Sequence, residues 1–295
     1  MTENPVPPAG AALRRVVVGI DPSDNAARAA AWAAREATDR GLSLHLVCAI
    51  DLPGPVGMVI EPVGYAESRR KEGQALLDRV AAGLREQNPA LAVTTEVSEF
   101  AAAPTLVTLS GGADLVVTGT RGHGGFAGML LGSVSLALAA HSLCPAAVVR
   151  GEEAGSALNE IVLGVGPDQA EAPLRFAFAS AAALGATVSA VRAWEPATAY
   201  SGYYHILDIP KAQAQEAEDL AAQLKAVRDE YPDVAVTEQV IRGNPVTVLM
   251  DASRGSRMLV VGSHRRRSVL SPGTGYVAHG LIAHSPTPIA VVPIG

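Results

Sequence analysis

Short apolar runs rich in β-branched residues alternate along the chain with longer stretches whose apolar positions recur every three or four residues. The run VVVGI (16–20) reads as a strand, AARAAAWAAREATDR (26–40) as an amphipathic helix and LHLVCAI (44–50) as a second strand. ESRRKEGQALLDRVAAGLREQ (67–87) reads as a longer helix with charges on its outer side. The strands are apolar throughout rather than alternating, the pattern of a parallel sheet covered by helices on both faces. Carried onward, the order is strand, helix, strand, long loop, helix, strand, helix, strand, glycine loop, helix, strand, and then the same again. This alternation predicts an α/β fold of two tandem doubly wound parallel-sheet domains, Rossmann-like in outline.

The second pass copies the first. RRVVVGIDPSDNAARAAAWAAREA (14–37) lies over NEIVLGVGPDQAEAPLRFAFASAA (159–182) at a shift of 145. After small insertions and deletions, ADLVVTGT (113–120) lies over SRMLVVGS (256–263) at a shift of 143, and HSLCPAAVVR over HSPTPIAVVP closes each copy. Repeats of this length mark one structural unit used twice. Apolar periodicity stops at RGEEAGSALNE (150–160), where acidic and small residues take over. The expected division is a leader at 1–12, a first domain at 13–151, a linker at 152–158 and a second domain at 159–295. The closing strands AAVVR and IAVVPI are last in their units, so each belongs at a sheet edge open to pairing.

Composition narrows the classes. With 48% hydrophobic and 18% charged residues, 295 residues suffice for two packed domains. A formal net charge of -6 argues against nucleic acid as a partner, because that binding needs dense Lys and Arg. The opening MTENPVPPAGAALRR has neither the basic start nor the apolar core of a signal peptide and reads as a disordered leader. No apolar run reaches the length of a membrane span. Cys48 and Cys144 lack a C-x-x-C spacing and sit in apolar segments, which predicts reduced core thiols and a cytoplasmic address.

The chemistry concentrates in VVTGTRGHGGFAGMLLGSVSLALA (116–139). Gly119 ends a strand, Gly122, Gly124, Gly125 and Gly128 crowd the loop, and Gly132 with Ser133 opens a helix that holds Ser135 in its first turn. Glycine lets another group approach the backbone closely, and the unpaired amides of a helix start attract anions. The two serines add hydroxyl donors. The reading is a phosphate cradle at the carboxyl end of a parallel sheet, set against a plain flexible loop. A P-loop is excluded because no Gly-Lys-Ser/Thr follows, and GIDPSD and GVGPDQ lack the third glycine of a dinucleotide fingerprint. There is no Gly-x-Ser-x-Gly elbow and no metal-spaced His, Cys, Asp and Glu cluster, so hydrolase and metalloenzyme chemistries have little support. His123 is either a proton-transfer helper or a solvated loop residue, and Arg121 either a phosphate clamp or a surface charge.

The arrangement G-x2-G-x9-G-S, placed near the end of an α/β unit, resembles the ATP-binding branch of the universal stress protein family, and the resemblance covers both copies. It implies a Rossmann-like, adenine nucleotide alpha hydrolase-like fold and an ATP site in the first domain, with or without Mg2+. Carried over residue by residue, it assigns Asp21 to the adenosine, a backbone contact near Ala49 to the adenine, and Gly119, Gly122, Gly132, Ser133, Val134 and Ser135 to phosphates and ribose. Read without the family, Asp21 is an Asx-turn cap before Pro22, and the two roles are compatible.

In the second copy Gly262 and Gly275 keep register, but Arg265 replaces Gly122, Tyr276 replaces Ser133 and Gly166 replaces Asp21. That predicts loss of ATP binding there by local obstruction. HRRRS (264–268) is left as an anion-attracting patch, a surface for an acidic partner or a solvated loop. The resemblance further implies a nucleotide-responsive regulator of stress response or dormancy with an unidentified protein partner, an internal pseudo-dimer and a homodimer. A slow ATPase or self-phosphorylating enzyme and a nucleotide-free scaffold are the alternatives. The loops at 51–65 and 194–210 are candidate lids or partner surfaces.

Overall fold

A computed structural model describes residues 14–52, 64–122, 131–150, 159–168, 170–195, 208–264 and 275–294. The first half runs β1 (Arg15–Gly19), α1 (Asp24–Asp39), β2 (Ser43–Ala49), α2 (Tyr65–Gln87), β3 (Val93–Ser98), α3 (Ala102–Ser110), β4 (Leu115–Gly119), α4 (Ser133–His141) and β5 (Ala146–Val149). The second half repeats this with β6 (Glu160–Gly164), α5 (Glu171–Leu184), β7 (Thr187–Trp194), α6 (Ile209–Glu230), β8 (Val236–Arg242), α7 (Pro245–Ala252), β9 (Met258–His264), α8 (Tyr276–His284) and β10 (Ile289–Ile294). The expected leader and linker fall outside the described residues.

The strands form one ten-stranded sheet in the order β3-β2-β1-β4-β5-β10-β9-β6-β7-β8. Within each half every pairing is parallel. The halves meet where β5 and β10 run antiparallel, with Ile289 opposite Val148 and Val291 opposite Ala146. Each closing strand is thus the edge of its own unit and interior to the whole, which is the internal pseudo-dimer. Pro293 lies in the part of β10 beyond the β5 pairing, so its missing amide interrupts no rung across the junction.

Helices α1, α2, α5 and α6 cover one face and build a core that is continuous across the junction, while α3, α4, α7 and α8 cover the other. Val16, Val17 and Val18 are fully buried between the layers; burying a side chain of this size contributes about 1.5–3 kcal/mol. Helix α1 begins where Ser23 Oγ accepts the Ala26 N–H at 3.2 Å, and it lays Ala26, Ala29, Ala30, Ala33 and Ala37 against the sheet. Leu42 N–H closes on Ala37 C=O as Ala186 N–H closes on Ala181 C=O. The repeat shift of 145 therefore holds only through the turn after β1 and becomes 144 within the first helix, a slip that the alanine-rich sequence conceals.

Both cysteines are reduced and buried. Burial pushes the Cys144 thiol up to about 11 and raises Cys48 as well. Neither thiol is expected to react with a disulfide reagent in the native protein at about pH 8, whereas denaturant should release both; fast labelling of the native chain would contradict this packing.

Candidate functional site

The strand order of the first half reverses between β1 and β4, which opens a crevice at their carboxyl ends. Two loops line it. In the loop after β1, Asp21 Oδ1 accepts the Ser23 N–H at 3.0 Å and the Ser23 hydroxyl at 2.5 Å. Asp21 is thus a turn cap that fixes the cap of α1. Its other oxygen, Oδ2, faces the second loop so closely that a methyl group built on Gly122 would stand 2.2 Å from it. At position 122 any side chain meets the carboxylate.

The loop after β4 is stitched down on both sides. The Arg121 carbonyl accepts Asn25 Nδ2 at 3.1 Å and the Ser23 hydroxyl at 3.5 Å. A Cβ on Gly119 would lie 2.8 Å from the Asn25 backbone, which has no room to yield. On the far side the Gly132 N–H donates to Thr120 C=O at 2.8 Å, and the Ser135 hydroxyl donates to Gly119 C=O at 2.9 Å. Gly132 begins α4 without a capping side chain, so the first amides of that helix are left for a ligand or water.

The two serines therefore have different roles. The sequence expects both hydroxyls to face a phosphate, but Ser135 is 1% exposed and turned into the loop carbonyls. Ser133 is exposed, Val134 is half-buried between them, and only the backbone amide of Ser135 belongs to the helix start. Ala49 ends β2 beside the crevice. The Ile20 N–H donates to Val47 C=O; the next rung would call on residue 22, and Pro22 has no N–H, so the Ala49 carbonyl faces the crevice without that partner. His123, Gly124, Gly125 and Gly128 lie outside the described residues. Ser23 and Asn25 were not legible as site residues, because only the fold brings them to Arg121.

The second half keeps the frame and loses the fastening. Gly275 begins α8, again without a side-chain cap, and a methyl group on it would meet nothing within 4 Å among the described residues. At the position of Ser135 stands the buried Ala278, which has no hydroxyl for the β9 loop, and the buried Ser263 hydroxyl has no hydrogen-bond partner among the described residues. Tyr276 is 72% exposed and projects from the helix start into solvent rather than filling the crevice. Ala278 is thus a change that the sequence reading missed, visible only when Ser135 is known to be a brace. Arg265, Arg266 and Arg267 lie outside the described residues, as do most of the two long loops. Among the described residues no group of three or more His, Cys, Asp and Glu is placed to hold a metal, and no helix is long and apolar enough to cross a membrane.

The profile described as the Universal stress protein family matches residues 12–150 and again 158–293. The chain belongs to the universal stress protein family. Its relatives include Universal stress protein Rv2623 of Mycobacterium tuberculosis (strain ATCC 25618 / H37Rv), 31% identical over 286 residues that cover 94% of this chain and 95% of that one. Universal stress protein Rv2005c of the same strain is 30% identical over 292 residues, covering 94% and 96%. The crystal structure of a universal stress protein from Archaeoglobus fulgidus DSM 4304 superposes with a TM-score of 0.69 at 16% identity, covering 95% of this chain and 98% of that one. That likeness concerns the fold. Tandem universal stress protein domains thus account for the whole described architecture, including the internal pairing of the halves.

Proposed function

We propose that the first half binds one ATP and that the nucleotide sets the chain's regulatory state toward a protein partner in stress response or dormancy. The observation that carries this reading is the close approach of Gly122 to Asp21 beside an uncapped α4, a crevice whose two loops meet so tightly that one Cβ would drive them apart. The phosphates would take the amides of Ser133, Val134 and Ser135 with the Ser133 hydroxyl, while the Gly132 N–H stays on Thr120 and holds the loop against the helix start. Asp21 Oδ2 would accept from the ribose and the Ala49 carbonyl from the adenine amine, and Gly119 and Gly122 would let the two loops close on each other to shape the crevice around the ligand. Mg2+ would arrive as the counter-ion of the phosphates, since the described carboxylates form no cluster for it. The address we infer is cytoplasmic. A homodimer would use a surface other than the closing strands, which the internal junction consumes; light scattering at high concentration checks it.

Calorimetry with ATP is expected to give one site per chain, and two equivalent sites or none would overturn the assignment. Phosphate release under single-turnover conditions separates a protein that holds ATP from one that hydrolyses it or phosphorylates itself. The second half supplies a further expectation. Gly166→Asp, Arg265→Gly and Tyr276→Ser together should restore weak binding, and adding Ala278→Ser should strengthen it, because the new hydroxyl would brace the β9 loop as Ser135 braces the β4 loop. Residues that share one site combine non-additively, so each single reversion should do little. If the folded fourfold variant binds no better than the threefold one, the brace is not what the second half lacks.

A further inference from the structure

Away from the crevice, a hydroxyl, an imidazole and a carboxylate stand in line on the outer strands of the first half. Thr94 Oγ1 lies 2.8 Å from His45 Nδ1, and His45 Nε2 lies 3.1 Å from Glu96 Oε2. Thr94 and Glu96 are two apart on β3 and so share one face, with His45 beside them on β2 in register with Thr94. The imidazole is 8% exposed, while Thr94 is open to solvent. A carboxylate accepts only, so the ring proton sits on Nε2 and the Nδ1 lone pair receives the Thr94 hydroxyl. That is the tautomer a general base needs. Burial holds His45 below its ordinary value against the opposing pull of Glu96, with Arg15 adding to the lowering, which keeps the ring neutral near neutral pH.

The strand supplies one more part. Leu44 N–H donates to Ala92 C=O and Ile50 N–H to Ser98 C=O, which fixes the alternation of the parallel ladder. Ala92, Thr94, Glu96 and Ser98 turn their main-chain groups toward β2, and Thr95 turns its N–H away. Since β3 ends the sheet, that amide faces the open edge directly after the candidate nucleophile. Nucleophile, base, orienting carboxylate and a neighbouring amide donor are the parts of acyl transfer through a hydroxyl.

We propose that Thr94, with His45 as general base and Glu96 as positioning residue, forms an acyl-accepting site for small activated esters on the outer edge of the first half. Thr94 Oγ forms a bond to the carbonyl carbon as its proton passes to His45 Nδ1. The carbonyl oxygen takes the charge beside Thr95 N–H, the C–O bond to the leaving group breaks, and the departing oxygen takes the proton from His45. Thr94 is left as an ester, which water cleaves by the same proton path.

The second half contains its own control. Thr237 occupies the place of Thr94 on the other outer strand, but Ser189 replaces His45 and Gln239 replaces Glu96, with Gln239 Nε2 donating to Ser189 Oγ at 3.0 Å. The experiment treats the intact chain with p-nitrophenyl acetate and maps acetylated peptides by mass spectrometry over time. Thr94 is expected to acquire acetate about 100-fold faster than Thr237, within the usual contribution of a positioned base, and His45→Gln should bring the two to the same rate. Glu96→Gln should move the midpoint of the rate against pH downward, because the carboxylate that favours the imidazolium is gone while Arg15 remains; a carboxylate that only packs would leave that midpoint in place. Equal labelling of Thr94 and Thr237, labelling confined to lysines, or Thr94 labelling unchanged in a His45→Gln chain with a normal thermal transition would each overturn the proposal. Should His45→Gln fail to fold, the Thr94 to Thr237 ratio in the unaltered chain decides alone.

Discussion

Gly122→Arg is expected to weaken ATP binding at least about 100-fold, a change of about 2.7 kcal/mol. The first atom of the new side chain would stand 2.2 Å from Asp21 Oδ2. Asp21 is not free to retreat, because its other oxygen holds the Ser23 amide and hydroxyl that cap α1. The crevice therefore has to open, and with it goes the alignment of the Asp21 and Gly119 loops. The second half shows the same conflict resolved the other way: where the first has Asp then Gly, it has Gly166 then Arg265. Asp21→Gly with Gly122→Arg should accordingly recover the thermal stability that Gly122→Arg loses while leaving ATP unbound. Calorimetry and a thermal melt on the same samples read both quantities, and wild-type affinity in Gly122→Arg would remove this crevice from consideration.

Glu36→Ala should lower the unfolding free energy by roughly 3–5 kcal/mol, the usual cost of removing one member of a buried ion pair. Glu36 is 1% exposed. It receives Arg40 at 2.7 Å from its own helix and Arg257 at 3.1 Å from the other half, and Arg257 also pairs with Asp39. Arg40 in turn lies over the Phe176 ring at 5.4 Å. Deleting the carboxylate leaves the buried Arg40 guanidinium without its carboxylate and Arg257 with Asp39 alone. Arg257→Ala should cost less, because Arg40 still neutralises Glu36. Urea titration of the three proteins gives the comparison, and a Glu36→Ala loss below about 1 kcal/mol would mean that the pair behaves as a surface one.

Much of this architecture was legible because the physics that sets it is local. Runs such as VVVGI and LVVTG read as buried strands, and the tandem repeat announced two units with AAVVR and IAVVPI at their edges, while the pairing of those edges came from the family resemblance. The cradle was legible in outline, because glycine is conspicuous. Its fastening was not. Ser135 looks like a phosphate ligand from spacing alone, and only the position of the Gly119 carbonyl shows it to be a brace. The partnership of Asp21 with Gly122 and the line of Thr94, His45 and Glu96 join residues roughly 50 to 100 positions apart, and no periodicity records a meeting made by neighbouring strands. The one-residue slip in α1 was hidden for the opposite reason, since a helix of alanines reads alike in either register.

The cluster around Glu36 occurs once, although the fold that carries it occurs twice. By the pseudo-symmetry of the sheet, Ser180 stands where Glu36 stands and Asp114 where Arg257 stands. Two first halves brought together through their closing strands would set Glu36 against the partner's Asp114, carboxylate facing carboxylate, with no guanidinium from across the junction. Two second halves would offer Ser180 to Arg257 and leave the cation unmatched. The halves are thus specific for each other and ill suited to themselves. Within one chain the junction is therefore directional, unlike the self-complementary interface of a symmetric dimer.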